Sequence, residues 1–384
     1  MEAEAGDPPS FRTQTDGQIV QDLSQISGER VFSGNPVRRK SRLDASGRHD
    51  TVDVSVIVPV FNGGSKIERC VRCLNRQKTT RSFEIILVDD GSTDGCLRRI
   101  DGHRVRVLTQ ANHGPAAARN LGVEEARGQI VLFTDSDCEP FENWIEEMVA
   151  PFENPGISGV KGSYQTSQRG VVPLFVQLEY EDKYDRMKKD RAIDFIDTYS
   201  AGFLKKTFLA TGTFDPSFPV PSVEDQEFSF RMWEKGYQMV FNPKAMVYHT
   251  HSETVWDYVK KKFRIGYWKA LVLRKHPKKI VRDSHTPQSL KTEMILVTVA
   301  VFCLFLSIAE PGFLLYGFVL LAGFLAVISP FVIKSFRKNR RVALFSPFLL
   351  AVRALALSCG LLIGVVRFAM LPRETGRRGS SEDR

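Results

Sequence analysis

Up to Thr292 the sequence has no apolar run long enough to cross a bilayer, which takes ~20 residues. Residues 1–50 lack the apolar stretch of a secretory signal; polar and rich in Gly, Ser, Arg and Asp, they are read as a disordered tail. Cysteine is scarce, six in 384 residues, so no disulfide framework organises the fold. Cys70 and Cys73 form a lone C-x-x-C without a second pair at zinc spacing, which reads as ordinary helix packing. No G-x-G-x-x-G or G-x-x-x-x-G-K-[ST] follows a strand, and this argues against dehydrogenase and P-loop chemistry. Acid is nearly missing from one stretch: between Lys260 and Lys291 eleven basic residues face only Asp283. That block carries more than the whole chain's net +9 and abuts a hydrophobic region, so it reads as a membrane-surface segment. With no recognition module beside it, nucleic acid is not an expected partner.

What is present is a clean alternation. Val52–Val60, Phe83–Asp90, Val105–Thr109 and Gln129–Phe133 are short apolar runs, read as strands. Ser65–Gln77, a short helix around Leu97, and Pro115–Arg127 fall between them. Such β-α-β units predict an α/β fold with a mostly parallel central sheet, whose ligands bind beyond the carboxyl ends of the strands. Those ends are polar here: Pro59–Asn62, Asp89–Asp94 and Asp135–Asp137. They carry carboxylates in place of a phosphate-cradling loop, so a bound nucleotide would be held through a divalent cation. Farther on, Val171–Lys189 and Glu224–Lys235 read as helices and Tyr237–His249 as extended. Thr254–Arg274 mixes Trp256, Phe263, Tyr267 and Trp268 with lysines and arginines, a pattern suited to a helix in the headgroup plane.

Four segments then stand out in order: VSVIVPVFN at Val54–Asn62, EIILVDDGSTD at Glu84–Asp94, NHGPAAARNLG at Asn112–Gly122 and FTDSDCEP at Phe133–Pro140. They resemble the nucleotide-sugar half of a family 2 glycosyltransferase with the GT-A fold. GTFDPSF at Gly212–Phe218 and VEDQEFSFRMWEKGY at Val223–Tyr237 look like the acceptor half of that family. The resemblance covers about Val52 to Arg274. It implies an inverting, metal-dependent transferase with a UDP- or GDP-linked sugar donor.

A turn after Thr134 would aim Asp135 and Asp137 at one ion, and oxygen ligands suit Mg²⁺ or Mn²⁺. By the resemblance, Pro59, Phe61 and Asn62 line the base pocket, Asp89 and Asp90 contact the nucleobase and ribose, and Arg119 sits near the nucleoside. Asp225 matches the position of the catalytic base, which takes the acceptor hydroxyl's proton. Glu224 beside it would position the acceptor or raise the pKa of Asp225. His249, the first of an H-x-H with His251, is a candidate metal or diphosphate ligand. Arg264 resembles the arginine of the Q-x-x-R-W element of processive synthases and suggests diphosphate contact, but no glutamine precedes it.

The expected organisation is a catalytic domain over 51–252, a basic amphipathic interfacial segment over 253–292, a membrane domain over 293–371 and a polar tail over 372–384. Met294–Ala309 and Gly312–Ile333, 16 and 22 residues without a charge, are separated by Glu310 and Pro311 and form a hairpin. The cations of Lys334–Arg341 then mark the cytoplasmic side of an inner or plasma membrane. A third segment, 343–371, holds Arg353 and Arg367; it either crosses with Arg353 turned inward or lies in the interface, with crossing slightly favoured. The expected function is transfer of a sugar to a membrane lipid or cell-surface glycan. A processive synthase and a non-catalytic scaffold that binds nucleotide sugar are the alternatives.

Overall fold

The computed structural model describes residues 52–370, apart from 101, 103 and 281–285. The expected tails over 1–50 and 372–384 lie outside the described residues. Strands β1 (Val54–Val60) and β2 (Phe83–Asp89) are apolar along nearly their whole length because both their faces are covered. Between them helix α1 (Gly64–Asn75) turns Ile67, Cys70, Val71 and Leu74 inward at helical spacing. No helix forms near Leu97. Gly91–Ile100 runs instead through turns, with Gly91 and Gly95 at φ of 79° and 67°. Strand β3 (Val105–Thr109), helix α2 (Pro115–Glu125) and strand β4 (Ile130–Phe133) follow.

The chain continues through β5 (Cys138–Pro140), α3 (Trp144–Val149), β6 (Ile157–Gln165), α4 (Val171–Met187), β7 (Ala201–Leu204), α5 (Lys205–Thr211), α6 (Glu224–Glu234) and β8 (Gln238–His249). The eight strands among the described residues join one sheet in the order β3-β2-β1-β4-β7-β6-β8-β5. The pairings of β1 with β2 and β4, and of β2 with β3, are parallel, in line with the β-α-β reading. Beyond β4 the sheet is mixed: β7 runs antiparallel to β4 and β6, β6 is parallel to β8, and β5 is antiparallel to β8. One apolar cluster fills the side of the sheet covered by α1 and α3, and another fills the side covered by α2 and α6.

Helix α7 (Val255–Lys275) leads to three long apolar helices, α8 (Gln288–Leu306), α9 (Phe313–Lys338) and α10 (Arg340–Ala369), each long and apolar enough to cross a membrane. Both ends of the α8–α9 hairpin face the domain built on the sheet. Lys334 bonds Asp182 and Asp185 of α4, and Glu293 pairs with Arg353, which also bonds Glu179 of α4. Helix α10 runs beside α7 so closely that Cβ atoms at Gly360 and Gly364 would meet Phe263 O at 2.1 Å and Tyr267 O at 2.3 Å. Tyr267 and Trp268 consequently pack against Phe368, and of the five aromatics of α7 Trp256 stays most open, 64% exposed.

Candidate active site

Strand β4 ends at Phe133, and the chain turns so that Cys138 N donates to Asp135 O at 3.0 Å. The turn overrides the alternation that would splay Asp135 and Asp137 to opposite faces. Strand β8 pairs with β5 in a register that sets His249 opposite Cys138. One ligand atom each from Asp135, Asp137, Cys138 and His249 falls within 4.8 Å of the others. His249 Nε2 lies 3.8 Å from Asp137, while its buried Nδ1 has no hydrogen-bond partner among the described residues. Burial holds the His249 pKa below the ordinary imidazole value, so the ring is neutral and can donate a lone pair. Two carboxylates and an imidazole fit Mn²⁺ or Mg²⁺. Burial and the nearby carboxylates raise the Cys138 thiol well above its usual range, which makes it a poor ligand beside them.

Arg119 is not the surface arginine its helix could have carried. The backbone of Gly114, at φ 87°, approaches Pro219 O so closely that a Cβ would sit 2.5 Å from it; Pro115 then starts α2 at its first turn. One turn on, Arg119 points into the site, 3% exposed, and donates to Asp135 at 2.8 Å and Glu224 at 3.0 Å. A single guanidinium thus ties the D-x-D turn to the start of α6. Asn120 next to it bonds both backbone groups of Phe214 and serves the fold.

At the start of α6, Glu224 is buried and holds Arg119 and Ser222 N. Asp225 accepts from Thr198 N at 3.3 Å and from Gln226 N. Burial, followed by the charges of Glu224 and Asp197, raises the Asp225 pKa well above the usual carboxylate range. Near it lies a group that the sequence reading passed over. Lys161, fully buried in β6, donates to Asp197 and to Tyr199 Oη, and Lys183 of α4 stands 3.6 Å from Asp197. Burial pulls Lys183 down to about 7. A lysine in the middle of the apolar and small residues of ISGVKGSYQ was the available signal.

The nucleotide-side loops are built largely from their own hydrogen bonds. Asn62, at φ 49°, accepts from Thr93 N, Ser92 Oγ accepts from Asn62 N, and Asp94 accepts from Gly64 N at the start of α1. Asp89 accepts from Ser92 N at 2.8 Å. Asp90 accepts from Gln110 Nε2, His113 N and Gly114 N, which fixes the loop before α2. Pro59 stays within β1, and Phe61 stands 52% exposed at the strand end. Arg264 is exposed on α7 and takes no part in the Asp135–Arg119–Glu224 contacts, whereas Lys261 of that helix is among the charges acting on His249. His251 turns inward to Gln177 and Tyr180, and burial lowers it to about 3.

Residues 55–209 match the family described as Glycosyl transferase family 2. This segment is a family 2 glycosyltransferase domain. Glycosyltransferase AglE of Haloferax volcanii is 26% identical over 56% of this chain and 71% of its own length. Pre-mycofactocin glycosyltransferase of Mycobacterium tuberculosis is 27% identical over 59% of this chain, which spans about half (49%) of that protein. Among solved structures, the mannosyltransferase PcManGT of Pyrobaculum calidifontis, in complex with GDP-Man and Mn²⁺, shares the fold. Its TM-score is 0.52 at 20% identity, covering 80% of this chain and 86% of that one. The glycosyltransferase match takes in the D-x-D turn, Arg119 and the Lys161–Asp197 pair, and ends before Glu224 and Asp225.

Proposed function

We propose that the chain is an inverting transferase that moves a sugar from a UDP- or GDP-linked donor to a lipid or glycan at a membrane surface. The observation that carries this reading is the buried Asp135–Arg119–Glu224 bridge, which sets the D-x-D turn and the base candidate in one rigid unit. Asp135, Asp137 and His249 would hold Mg²⁺ or Mn²⁺. Bound there, the cation supplies positive charge to the departing diphosphate. Asp225 takes the proton of the attacking hydroxyl, and its raised pKa suits a base working nearer neutral pH. Glu224 keeps Arg119 fixed and raises its neighbour through its charge. Phe61, Asn62 and Asp89 flank the nucleoside, and the half-exposed Phe61 ring offers a stacking face.

For topology, α8 and α9 form the crossing hairpin. Its two ends lie on the catalytic side, and the cations of Lys334–Arg341 put that side in the cytoplasm of a plasma-membrane protein. Helix α10 lies along α7 at the hairpin's base, where Arg353 reaches Glu179 and Glu293, which favours the interfacial reading over a third crossing. The test is turnover of a panel of UDP- and GDP-sugars with membrane lipid extract, the anomeric configuration of the product being read by NMR. Inversion and loss of turnover on chelation are expected. Retention of configuration would overturn the single-displacement reading.

A further inference from the structure

A cavity of about 930 Å³ opens where α4, α6 and α7 meet the base of the apolar hairpin and α10. Its position is telling, since Gln226, next to Asp225, forms part of its wall. Gln226 is 2% exposed; its Oε1 accepts from Lys269 Nζ at 2.8 Å, while its buried Nε2 donor has no hydrogen-bond partner among the described residues. A second orphan, the buried Thr298 Oγ1, lies farther along the same cavity on α8. Leaving such groups unmatched costs ~1–3 kcal/mol each, so a ligand oxygen is the natural complement. The lining is also two-sided. Toward the sheet domain eight cationic side chains and three carboxylates line it; six of the cations are ion-paired with those carboxylates or with Asp185, Asp194 and Asp197 behind them, and Lys269 and Lys291 bond Gln226 and Ile280 O. Toward the hairpin tip the walls become apolar, with Ile295, Val299, Phe331 and Leu361.

We infer that this cavity is the acceptor site, and that the acceptor is an anionic lipid whose phosphate lies beside a free hydroxyl. Its chain runs out between the apolar helices, its phosphate meets the cationic end, and its hydroxyl reaches Asp225 past Gln226 Nε2. In the transfer, the hydroxyl oxygen forms a bond to the anomeric carbon and the bond from that carbon to the nucleoside diphosphate breaks. The electron pair leaves with the diphosphate, and the hydroxyl proton goes to Asp225. The inference rests on the transferase reading, but it adds where the acceptor lies and which charge it carries.

The test uses the purified full chain in detergent, with dioleoylphosphatidylglycerol as the phosphate-and-hydroxyl probe and dioleoylglycerol as the hydroxyl-only probe. Native mass spectrometry should show the anionic lipid retained at least tenfold more tightly, and inorganic phosphate should not displace it. Equal retention of the two lipids, or displacement by phosphate alone, overturns the inference. Thr298→Trp, which fills the cavity, should raise the KM for lipid-extract acceptor at least tenfold with a far smaller change in kcat; an unchanged KM overturns it. Should that variant fail to fold, a diazirine-bearing phosphatidylglycerol on the unaltered chain should label peptides within 286–299 or 350–362, and labelling confined elsewhere sinks the site. Nucleotide binding is measured on the same sample with UDP and GDP in Mn²⁺. A chain that binds neither nucleotide refutes the transferase reading itself, whereas nucleotide binding with lipid labelled elsewhere refutes the cavity alone.

Discussion

Strands β1 to β4 and strands β6 to β8 build one sheet, yet they keep charge in different places. In the first group the strand interiors are aliphatic. The buried Glu84 sits near the amino edge, answered by Ser55, Arg106 and Arg127 N, and the reactive groups wait in loops at the other edge. The second group carries charge inside: Lys161 and Asp197 are paired in the core, with Lys183 beside them and Asp225 nearby. Loop chemistry can be altered there without touching the fold. Core chemistry cannot, because a buried ion left alone keeps its desolvation cost. The comparison separates residues whose loss should affect turnover alone from those whose loss should affect turnover and folding together.

The largest effect should come from the loop side. Asp137→Ala should lower turnover by at least ~10³-fold, since metal charge stabilisation is worth several kcal/mol and each 1.36 kcal/mol is tenfold. Its thermal midpoint should stay near that of the unaltered chain, because the carboxylate is a partly exposed loop group. A variant that melts early would erase the distinction between the two halves.

Next comes Asp225→Asn, expected to reduce kcat by ~10²–10⁴ with nucleotide affinity little changed. The pH dependence follows in sign. As the proposed base, Asp225 would work only when deprotonated, and its pKa is raised, so kcat should climb with pH along an acid limb displaced above the ordinary aspartate value. The asparagine variant should lose that limb. The same raised value means that Asp225 favours the fold below the ordinary aspartate pKa, a contribution lost as pH rises through the folded-state value.

Lys161→Met tests the core side. It removes one partner of a buried pair, so urea unfolding should show a loss of ~3 kcal/mol, at the low end because Lys183 remains 3.6 Å from Asp197. Activity per folded molecule should also fall. A stable Lys161→Met enzyme with full turnover would make this group ordinary packing. The smallest effect is expected at Gly122 of α2, where a Cβ would lie 2.4 Å from Ile57 Cγ2. Gly122→Ala should cost ~1–3 kcal/mol as the helix shifts off β1, and should disturb Arg119 only through that shift.

Much of this could be read along the chain. The parallel strands declared themselves as short apolar runs, and the D-x-D and E-D segments stood at element ends, while A-R-N lay one turn into a helix. The three apolar C-terminal helices needed only length and hydropathy. Other features had no local signature. Asp90 and Asp89 look alike in sequence, but only the folded loop shows that Asp90 is held by three donors from 110–114. The H-x-H looks symmetric, and the register of β8 against β5 sends His249 to the aspartates while His251 turns to Gln177.

The sequence by itself determined the parallel strands and most of the longer helices, because periodicity, capping and length act over a few neighbouring residues, though not the turns around Leu97 or the short elements between β4 and α6. It also determined that carboxylates gather at the strand ends. Only the tertiary structure decided which partners those carboxylates meet. Arg119, Asp135 and Glu224 are separated by 16 and 105 positions along the chain, and no local preference relates them. They meet because α2 docks on β1 at a glycine and β4 turns beneath its end, so that one buried cation satisfies two buried or half-buried anions. Likewise the basic composition of α7 announced a surface helix, whereas the glycines of α10, far along the chain, decided that its aromatics would be covered. Burial of charge and close backbone approach depend on what the rest of the chain brings near, which is why neither is written in any one segment.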